Sequence, residues 1–482
     1  MNIEKLTIVA GTAKITGRIT IPESIKKDNI FVTITVPHPI SGEHVRYEAI
    51  VDQYGKFSMV FDVETDTSFI GLYTSVNPYK TLIVKCFNGN ETHIDMAYNS
   101  DLDIKNINVK PTMNQNDMSL SMEVLNKMIG YRPDRSPTPL YDKSTDEFLN
   151  YTKSIVSERL RIFVDKDTLI TKEFKGIVSK EFRLFMYVTF VFDYEEEMIR
   201  NYRNVTSDTV NKPEIQKIDR SYFDFLKDLN LNDPQFLQTF TFSEIQNAIL
   251  RNEVLELPVI GENDITTWLT NVKVILSDLV GFDDGPYYDI LVANAFSRQL
   301  KDEIQPLTEK QKENIAHYWK DGEIAKILFR KNKEVVELDK VKSPTVVNDI
   351  QYVPEENVIE TIVSKYKDKV VLIDLWATWC VPCLDAINQL KGTKEAFRDK
   401  DIKFVYLTNG SSPKKLWKEK IKGIGDEHYY LKDGQWNYVM KHFGFEAIPS
   451  YLLYNKQGVL IHKFTSFPGK SVMKEMINDL LK

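Results

Sequence analysis

The chain has 482 residues, 42% hydrophobic and 27% charged, a balance that can fill several globular cores. This length predicts between about two and four domains. The formal net charge is −7, so no basic excess favours binding to nucleic acid or to an anionic membrane. The longest apolar run, residues 184–192, is far shorter than the roughly 20 residues of a membrane-spanning helix.

The N-terminal segment and the cysteine count bear on the cellular compartment. Residues 1–13 hold only a short apolar stretch that leads directly into a strand pattern, so we expect no secretory signal peptide in this sequence. A cytoplasmic location therefore stays open. The chain has 3 cysteines, too few for a disulfide framework. We interpret Cys86, in the strand-like stretch 81–87, as a small buried hydrophobic residue.

Residues 1–112 are predicted to form an N-terminal β-sandwich domain. The runs 13–21, 30–36 and 57–63 alternate in polarity or are rich in β-branched residues, and turn-forming residues separate them. Several short strands at this spacing are typical of an antiparallel sandwich. No helical periodicity occurs in this part of the sequence.

Residues 113–340 are predicted to form a helical middle domain. Apolar residues recur at helical spacing from 119 to 128 and from 148 to 163, and Ser144 and Glu147 predict a capping box before the second stretch. Further helices are predicted at 172–200, 214–228, 234–251, 265–280, 286–302 and 308–331. No repeat of fixed length is found, so we expect an irregular helical domain rather than a solenoid.

Residues 341–482 alternate between strand and helix patterns, after a predicted linker at 343–354. Strands are predicted at 370–375, 402–407, 450–454 and 459–464, and helices at 383–397, 414–421, 436–443 and 471–481. This order predicts an α/β sheet packed between helices.

Cys380 and Cys383 form a C-x-x-C pair where a strand gives way to a helix. Disulfide exchange needs one thiolate nucleophile and a second cysteine near enough to resolve the mixed disulfide. The free N–H groups at a helix N-terminus stabilise a thiolate at Cys380, and Pro382 suits the first helical turn.

Two other interpretations of the cysteine pair stay open but are disfavoured. Zinc needs about four ligands, whereas the chain has no second cysteine pair and the nearby histidines lack ligand spacing. These histidines are His428, His442 and His462. A purely structural pair would not need to lie where a strand gives way to a helix. The histidines of the first two predicted domains are isolated and form no catalytic group: His38, His44, His93 and His317.

Two sequence stretches make the C-terminal part recognisable. VLIDLWATWCVPC at 371–383 resembles the signature of the thioredoxin superfamily, and more narrowly that of the bacterial envelope thiol-disulfide reductases of the TlpA/ResA group. FGFEAIPSYLLYNKQG at 443–458 is similar to the same family's stretch of a small helix, an Ile-Pro bond and a hairpin. The resemblance covers only the last third of the chain and implies a thioredoxin fold there.

The resemblance also implies roles for individual residues. Cys380 would be the attacking thiol and Cys383 the resolving thiol. Pro449 would be a cis-proline beside the sulfurs, which is physically possible because cis bonds are essentially confined to X-Pro. Ile448 would offer backbone hydrogen bonds to an extended substrate. Asp374 matches the buried acid of thioredoxin, and burial between apolar residues should raise its pKa into a range useful for proton transfer.

Further residues complete the predicted site, and some features depart from the family. Trp379 and Pro382 are predicted to contact substrate, and Trp376 and Trp379 are also interpreted as packing residues around the sulfurs. The helix after Cys383 lacks the basic residue, Glu and Pro that envelope relatives often have, which weakens any inference about their usual partners. The longer segment around 409–430 is typical of the envelope group.

We therefore predict a thiol-disulfide oxidoreductase, and more specifically a reductase. Its redox-active group is the pair Cys380–Cys383, and no cofactor or metal is expected. The expected partners are protein disulfide or thiol clients and an upstream thiol electron donor, a membrane protein among the candidates. No nucleic acid partner is expected. The resemblance implies the periplasm or cell envelope. The alternative is a redox-silent scaffold that uses the thioredoxin fold for docking; peroxide reduction is disfavoured because no P-x-x-x-T-x-x-C loop occurs.

Overall fold

The computed structural model describes residues 7–22, 30–133, 136–208, 211 and 213–482. Residues 1–6, which carry part of the predicted N-terminal segment, lie outside these ranges. The chain divides into two compact units, Met1–Arg298 with Leu307–Lys331, and Gln299–Pro306 with Asn332–Lys482. The division into three domains at 112 and 340 stays a prediction. Within the described ranges, no helix is both long and apolar enough to cross a bilayer.

The first unit begins with strands that form two four-stranded sheets, of order β4-β1-β7-β8 and β3-β2-β5-β6. The strands are Ile8–Thr20 (β1), Phe31–His38 (β2), Glu43–Ile50 (β3), Lys56–Thr65 (β4), Thr67–Thr74 (β5), Asn77–Phe87 (β6), Glu91–Tyr98 (β7) and Ile104–Lys110 (β8). The predicted β content is confirmed, but β1 and β7 run parallel, so the purely antiparallel prediction is wrong there. The chain passes through the second sheet between β4 and β7, and a parallel pair requires such a long connection.

Both sheets contribute to one hydrophobic core. Ile15 of β1, Ile34 of β2 and Phe61 of β4 belong to the same buried cluster. Alternate residues of each strand point into it, as the period of two requires. The packing of the sheets as a sandwich stays a prediction. Cys86 is fully buried in this cluster, as predicted, and burial raises the pKa of its thiol to about 12.

Helices follow the strands along the chain. They are Gln115–Gly130 (α1), Thr145–Leu160 (α2), Lys172–Met186 (α3), Tyr194–Thr206 (α4), Phe242–Arg251 (α5), Ile265–Val280 (α6), Pro286–Asp302 (α7), Glu309–Trp319 (α8) and Glu323–Val341 (α9). The capping box is confirmed: the Ser144 side chain accepts from the Glu147 N–H, and the Glu147 carboxylate accepts from the Ser144 N–H. The helices predicted at 265–280 and 286–302 have the predicted bounds.

Three predicted helices are wrong in detail. The predicted helix 172–200 is interrupted by a π-helical turn at Tyr187–Val191, where the Phe192 N–H donates to the Tyr187 carbonyl. The predicted helix 214–228 is a 3₁₀ helix at Arg220–Leu229, whose aromatic residues are buried. The predicted helix 308–331 breaks after α8, where Lys320 has a left-handed φ of 55°. In each case packing or a local turn outweighs a weak helical preference.

A 3₁₀ turn at Pro234–Gln238 also precedes α5, so the helix predicted at 234–251 is shorter than expected. Asp233 caps this turn by accepting from the Gln235 N–H. A proline fits only the first turn of a helix, and the chain uses Pro234 there before a break. The predicted continuous helix is therefore two short elements.

The second unit contains a six-stranded sheet of order β14-β13-β10-β11-β12-β9 with helices on both faces. Its elements are Thr345–Asn348 (β9), Val358–Lys365 (α10), Val370–Leu375 (β10), Val381–Ala396 (α11), Ile402–Thr408 (β11), Lys414–Ile424 (α12), Asp426–Tyr430 (β12), Asp433–Phe443 (α13), Ser450–Tyr454 (β13), Leu460–Thr465 (β14) and Lys470–Leu481 (α14). Every strand and helix predicted between 370 and 482 is present with small changes of bounds. The predicted α/β fold of the C-terminal part is confirmed.

The predicted linker 343–354 is wrong, because part of it forms the edge strand β9. Residues of β9 pair in parallel with β12, with Glu427 opposite Val346 and His428 opposite Val347. Both β9 and β12 were missed by the sequence analysis, as was helix α10. Each strand has five residues or fewer, and short segments give little periodic signal.

The central strand β10 positions the candidate site. All six of its residues are buried, as expected for a strand covered by helices on both faces. Val370 and Leu372 face the cluster that contains α11, whereas Val371 and Ile373 face the cluster that contains α10 and α13. The carboxyl end of β10 leads directly into the loop that carries the cysteine pair.

Candidate active site

Cys380 is the N-cap residue of α11, five residues beyond the end of β10. Its sulfur accepts from the Cys383 N–H at 3.3 Å, and Pro382 lies in the first turn of the helix. The first N–H groups of a helix have no partner within the helix, and the helix dipole favours negative charge at this end. The local structure therefore supports an ionised sulfur at Cys380 in the reduced form.

Cys380 and Cys383 are joined as a disulfide, with their Cα atoms 5.3 Å apart. Cys380 is 4% exposed and Cys383 is 0% exposed, so both residues are buried and only Cys380 keeps some contact with solvent. Cys383 belongs to the core cluster between α11 and the sheet. This asymmetry is what an outer attacking thiol and an inner resolving thiol require.

The loop before β13 lies beside the sulfurs. The Ile448–Pro449 peptide bond is cis, and the Ile448 carbonyl oxygen is 3.8 Å from the Cys380 sulfur. The structure thus brings together the two motifs that are far apart in sequence. The substrate-binding roles of Ile448 and Pro449 stay predictions.

The two tryptophans before the pair have different surroundings. Trp376 is fully buried, which confirms its interpretation as a packing residue. Trp379 is 61% exposed, so its interpretation as a packing residue is wrong. Its indole N–H donates to the Ser411 hydroxyl at 3.3 Å, which leaves most of the ring in solvent. Trp379, Val381 and Pro382 form an exposed surface next to Cys380.

Asp374 lies in β10 between Tyr406 of β11 and Tyr451 of β13, which are its register partners. It is 1% exposed, and neither carboxyl oxygen has a hydrogen-bond partner within the described part of the chain. Burial raises the pKa of this carboxyl well above its usual value, and the Lys394 ammonium opposes that rise. The predicted direction of the pKa is confirmed, whereas the role of Asp374 in proton transfer stays a prediction.

The loop before α12 also supports the site, and the sequence analysis did not identify it. The Ser412 hydroxyl accepts from the Thr378 N–H at 3.0 Å and lies 2.8 Å from the Thr408 hydroxyl. The Tyr430 hydroxyl donates to the Ser412 carbonyl. Ser412 thus fixes the loop that precedes Cys380. A serine in a polar turn carries no sequence signal for such a long-range bond.

Lys394 in the last turn of α11 was also missed. It forms a buried ion pair with Asp426, and its ammonium donates to the Ile424 carbonyl at 2.6 Å. A buried lysine is expected to have a partner, but the sequence does not show which residue it meets.

The histidines near the pair have separate surroundings. His428 is fully buried and bonds to the Gly425 carbonyl, whereas His442 and His462 lie elsewhere in the unit. Burial lowers the pKa of His428 to about 3, so its imidazole is neutral. Among the residues with described positions, no group of three or more His, Cys, Asp or Glu side chains is placed to hold a metal ion.

Residues 333–479 match the model of the Redoxin family. No curated protein sequence matches the chain. The thioredoxin domain of a thiol-disulfide oxidoreductase from Bacteroides vulgatus is 19% identical, and the match covers 25% of this chain and 84% of that one with a TM-score of 0.23.

Two other solved structures are also similar to part of the chain. A thioredoxin-family thiol:disulfide interchange protein from Chlorobium tepidum is 16% identical, covering 29% of this chain and 97% of that one with a TM-score of 0.24. StoA from Bacillus subtilis is 20% identical, covering 23% of this chain and 82% of that one with a TM-score of 0.20. The match to the family model therefore identifies a Redoxin domain in the C-terminal part of this chain, at residues 333–479.

Proposed function

We propose that the chain reduces disulfides in client proteins through the Cys380–Cys383 pair. The observation that carries the proposal is the position of Cys380 at the N-terminus of α11, where the residue keeps slight solvent exposure while Cys383 has none. A thiolate at this position can reach a client, whereas the inner cysteine can reach only its neighbour. The family match supports thiol-disulfide exchange as the type of reaction.

In the first step the Cys380 thiolate attacks one sulfur of a client disulfide. A bond forms between Cys380 and that sulfur, the client S–S bond breaks, and the second client sulfur leaves as a thiolate that takes a proton from water. The Cys383 N–H, which points at the Cys380 sulfur, stabilises the attacking thiolate.

In the second step the Cys383 thiol gives its proton to the Asp374 carboxylate and attacks the Cys380 sulfur. The Cys380–Cys383 bond forms, and the first client sulfur leaves as a thiolate, so two electrons have passed to the client. The raised pKa of Asp374 makes its carboxylate a stronger base than that of an exposed aspartate. A donor dithiol then reduces the pair and is itself oxidised to a disulfide.

We assign substrate contact to the surface around Cys380. Trp379 and Pro382 offer exposed apolar area, and the backbone of Ile448 before Pro449 offers hydrogen bonds to an extended segment. Backbone bonding of this kind favours extended polypeptides over particular side chains. The clients are therefore proteins with accessible disulfides.

We place this activity in the periplasm or cell envelope, with a thiol donor that is a membrane protein or is supplied by one. The family resemblance supports this location. The two sheets of the first unit are proposed to pack as a β-sandwich, which their shared hydrophobic cluster supports.

Reduction of insulin by dithiothreitol, followed by turbidity, tests the proposal. We expect catalysis by the native chain and none by Cys380→Ser. Cys383→Ala should accumulate a mixed disulfide with insulin, because the resolving attack is lost. Cys86→Ser is the matched control and should retain activity. A native rate equal to the uncatalysed rate would favour the docking alternative.

A further inference from the structure

Four polar side chains form a row across the sheet beneath α11. Tyr451, Asp374, Tyr406 and His428 are successive register partners on β13, β10, β11 and β12. Directly paired residues lie on the same face of a sheet. Tyr406 and Tyr451 belong to the core cluster that contains Cys383, so this face is the one that α11 covers.

Several atoms in the row have no hydrogen-bond partner among the described residues. They are both carboxyl oxygens of Asp374, the hydroxyls of Tyr406 and Tyr451, and Nδ1 of His428. Buried polar atoms are rarely left unpaired, so the row departs from the usual rule. Burial keeps both tyrosines and His428 uncharged. Asp374 is the carboxylic acid of the row, and burial raises its pKa well above the usual value.

Lys394 brings a positive charge to this face. Its ammonium lies 5.3 Å from the centre of the Tyr406 ring, and its side chain is only 10% exposed. The Asp426 carboxylate, at the start of β12, and the Ile424 carbonyl, at the end of α12, both bind the ammonium. Burial lowers the pKa of this ammonium, and the Asp426 carboxylate opposes that fall and so favours the charged form.

The groups around Asp374 come from every element on this face. Helix α11 supplies Cys383 and Lys394. Helix α12 packs there with Trp417 and Ile421, and helix α14 with Met473 and Ile477, and none of these four side chains carries a charge. Strands β11, β12 and β13 supply the tyrosines, His428 and Asp426. Lys394 is the cation among the described residues that acts on Asp374.

We propose that Lys394, held in place by Asp426, is a positioning residue that keeps Asp374 able to ionise at working pH. This inference rests on the proposed function, because it concerns proton removal from Cys383. The ammonium favours the carboxylate form of Asp374 through space, and Asp426 maintains the charge of the ammonium. Helix α11, which carries both cysteines, thus also carries the ammonium that lowers the pKa of Asp374, the proposed base for Cys383.

The test uses the full chain with Cys380 loaded with thionitrobenzoate as a mixed disulfide. Attack by Cys383 releases the coloured thiolate, so absorbance follows the resolving step alone. In Lys394→Met we expect the midpoint of the pH–rate profile to move to higher pH by about one unit or more. Release at fixed neutral pH should slow about tenfold for a shift of one unit. An unchanged midpoint would overturn the inference.

Three comparisons separate this role from a structural one. Asp426→Asn should move the midpoint of the pH–rate profile in the same direction, because the Lys394 ammonium loses the partner that favours its charged form. This variant replaces Lys394→Met in the test if Lys394→Met does not fold. Lys403→Met is the matched control, since Lys403 pairs with Glu427 and points to the other face of the sheet. In an Asp374→Asn background, Lys394→Met should cause no further shift; a full shift there would show that Lys394 does not act through Asp374.

A direct readout does not depend on exchange. Carbon-13 NMR titration of aspartate carboxyls in the oxidised chain should show the Asp374 signal titrating at higher pH in Lys394→Met than in the native protein. If this shift occurs while the native chain fails to reduce insulin, the proposed function is wrong and the electrostatic role stands. If the native chain is active and the Asp374 titration does not move, the inference is wrong.

Discussion

At the scale of single residues, the raised pKa of Asp374 determines how the stability of the chain should depend on pH. A carboxyl that lies in the core without a hydrogen-bond partner is costly to ionise. Its native pKa is therefore raised, whereas its pKa in the unfolded chain is about 3.9. Between these two values the native state holds a proton that the unfolded state has lost. Stability is then highest below the unfolded pKa and falls as pH rises toward the native pKa.

We predict that Asp374→Asn removes this loss of stability. In urea unfolding of the oxidised chain, the free energy of unfolding of the native protein should fall as pH rises above about 4. In the variant it should fall less, because the amide that replaces the carboxyl does not ionise. Asp401→Asn is the control, since Asp401 is exposed, and it should keep the native slope. Equal slopes for the native chain and Asp374→Asn would show that Asp374 does not titrate in this window.

The cysteines should also differ in reactivity. We predict that iodoacetamide near pH 6 labels Cys380 of the reduced chain first, because the helix N-terminus favours its thiolate and because Cys383 and Cys86 have no solvent exposure. Cys383 is buried, and burial raises the pKa of Cys86 to about 12. Peptide mapping after partial labelling measures the order. First labelling of Cys383 or Cys86 would contradict the assignment of roles.

At the scale of elements, the loop after β10 depends on a bond from the loop before α12. The Thr378 N–H is buried, and its partner is the hydroxyl of Ser412. The adjacent Ser411 is exposed. Among the described hydrogen bonds between the two loops, its hydroxyl makes only one, which it accepts from the indole N–H of Trp379. Neighbouring serines therefore have very different structural importance.

We predict that Ser412→Ala destabilises the C-terminal unit by about 1–3 kcal/mol, because a buried N–H loses its acceptor. Ser411→Ala should change stability less than Ser412→Ala, since the exposed Ser411 hydroxyl only accepts from the solvent-accessible indole N–H and donates to the Asn409 side-chain oxygen. Urea unfolding followed by tryptophan fluorescence measures both. Equal effects of the two substitutions would show that the buried bond does not hold the loop.

At the scale of the whole molecule, the sequence predicted what depends on local pattern. The strand β10, the helix α11 and the hairpin β13–β14 were found because each has a clear period or a turn signal. The parallel pairing of β1 with β7 was not found, because it depends on how the chain crosses between sheets. The edge strand β9 lies within the predicted linker 343–354. Its sequence does not show that it is a strand, because its partner β12 lies far along the chain.

The same distinction applies to the site. Cys380, Cys383 and Asp374 lie within ten residues of one another, so one motif predicts all three. Ser412 and Lys394 act through contacts that no local pattern encodes, and they were missed. The exposure of Trp379 was also missed, because an aromatic residue between buried neighbours gives no sign of which way it points.

The direction of electron flow depends on whether the molecule stabilises the thiolate or the disulfide. Strongly oxidising members of the superfamily have potentials of about −120 mV and thioredoxin about −270 mV. Here Val381 and Pro382, between the cysteines, carry no charge, and the Lys394 ammonium is engaged with Asp426. The Ile448 carbonyl oxygen faces the Cys380 sulfur and does not favour negative charge there. These features add no charge stabilisation to what the helix N-terminus gives the Cys380 thiolate. Compared with the strongly oxidising members, the site therefore favours the disulfide, as a reducing enzyme requires.

We predict that the pair stays oxidised in a glutathione series except under strongly reducing conditions, with a potential near that of thioredoxin. Pro382→His places a cation beside the sulfurs and should raise the potential, because each unit by which the thiolate pKa falls is worth about 1.4 kcal/mol, or about 30 mV for two electrons. Pro382→Ala adds no charge and should stay close to the native value. A native potential at the oxidising end of the range would contradict the reductase assignment and favour a disulfide donor.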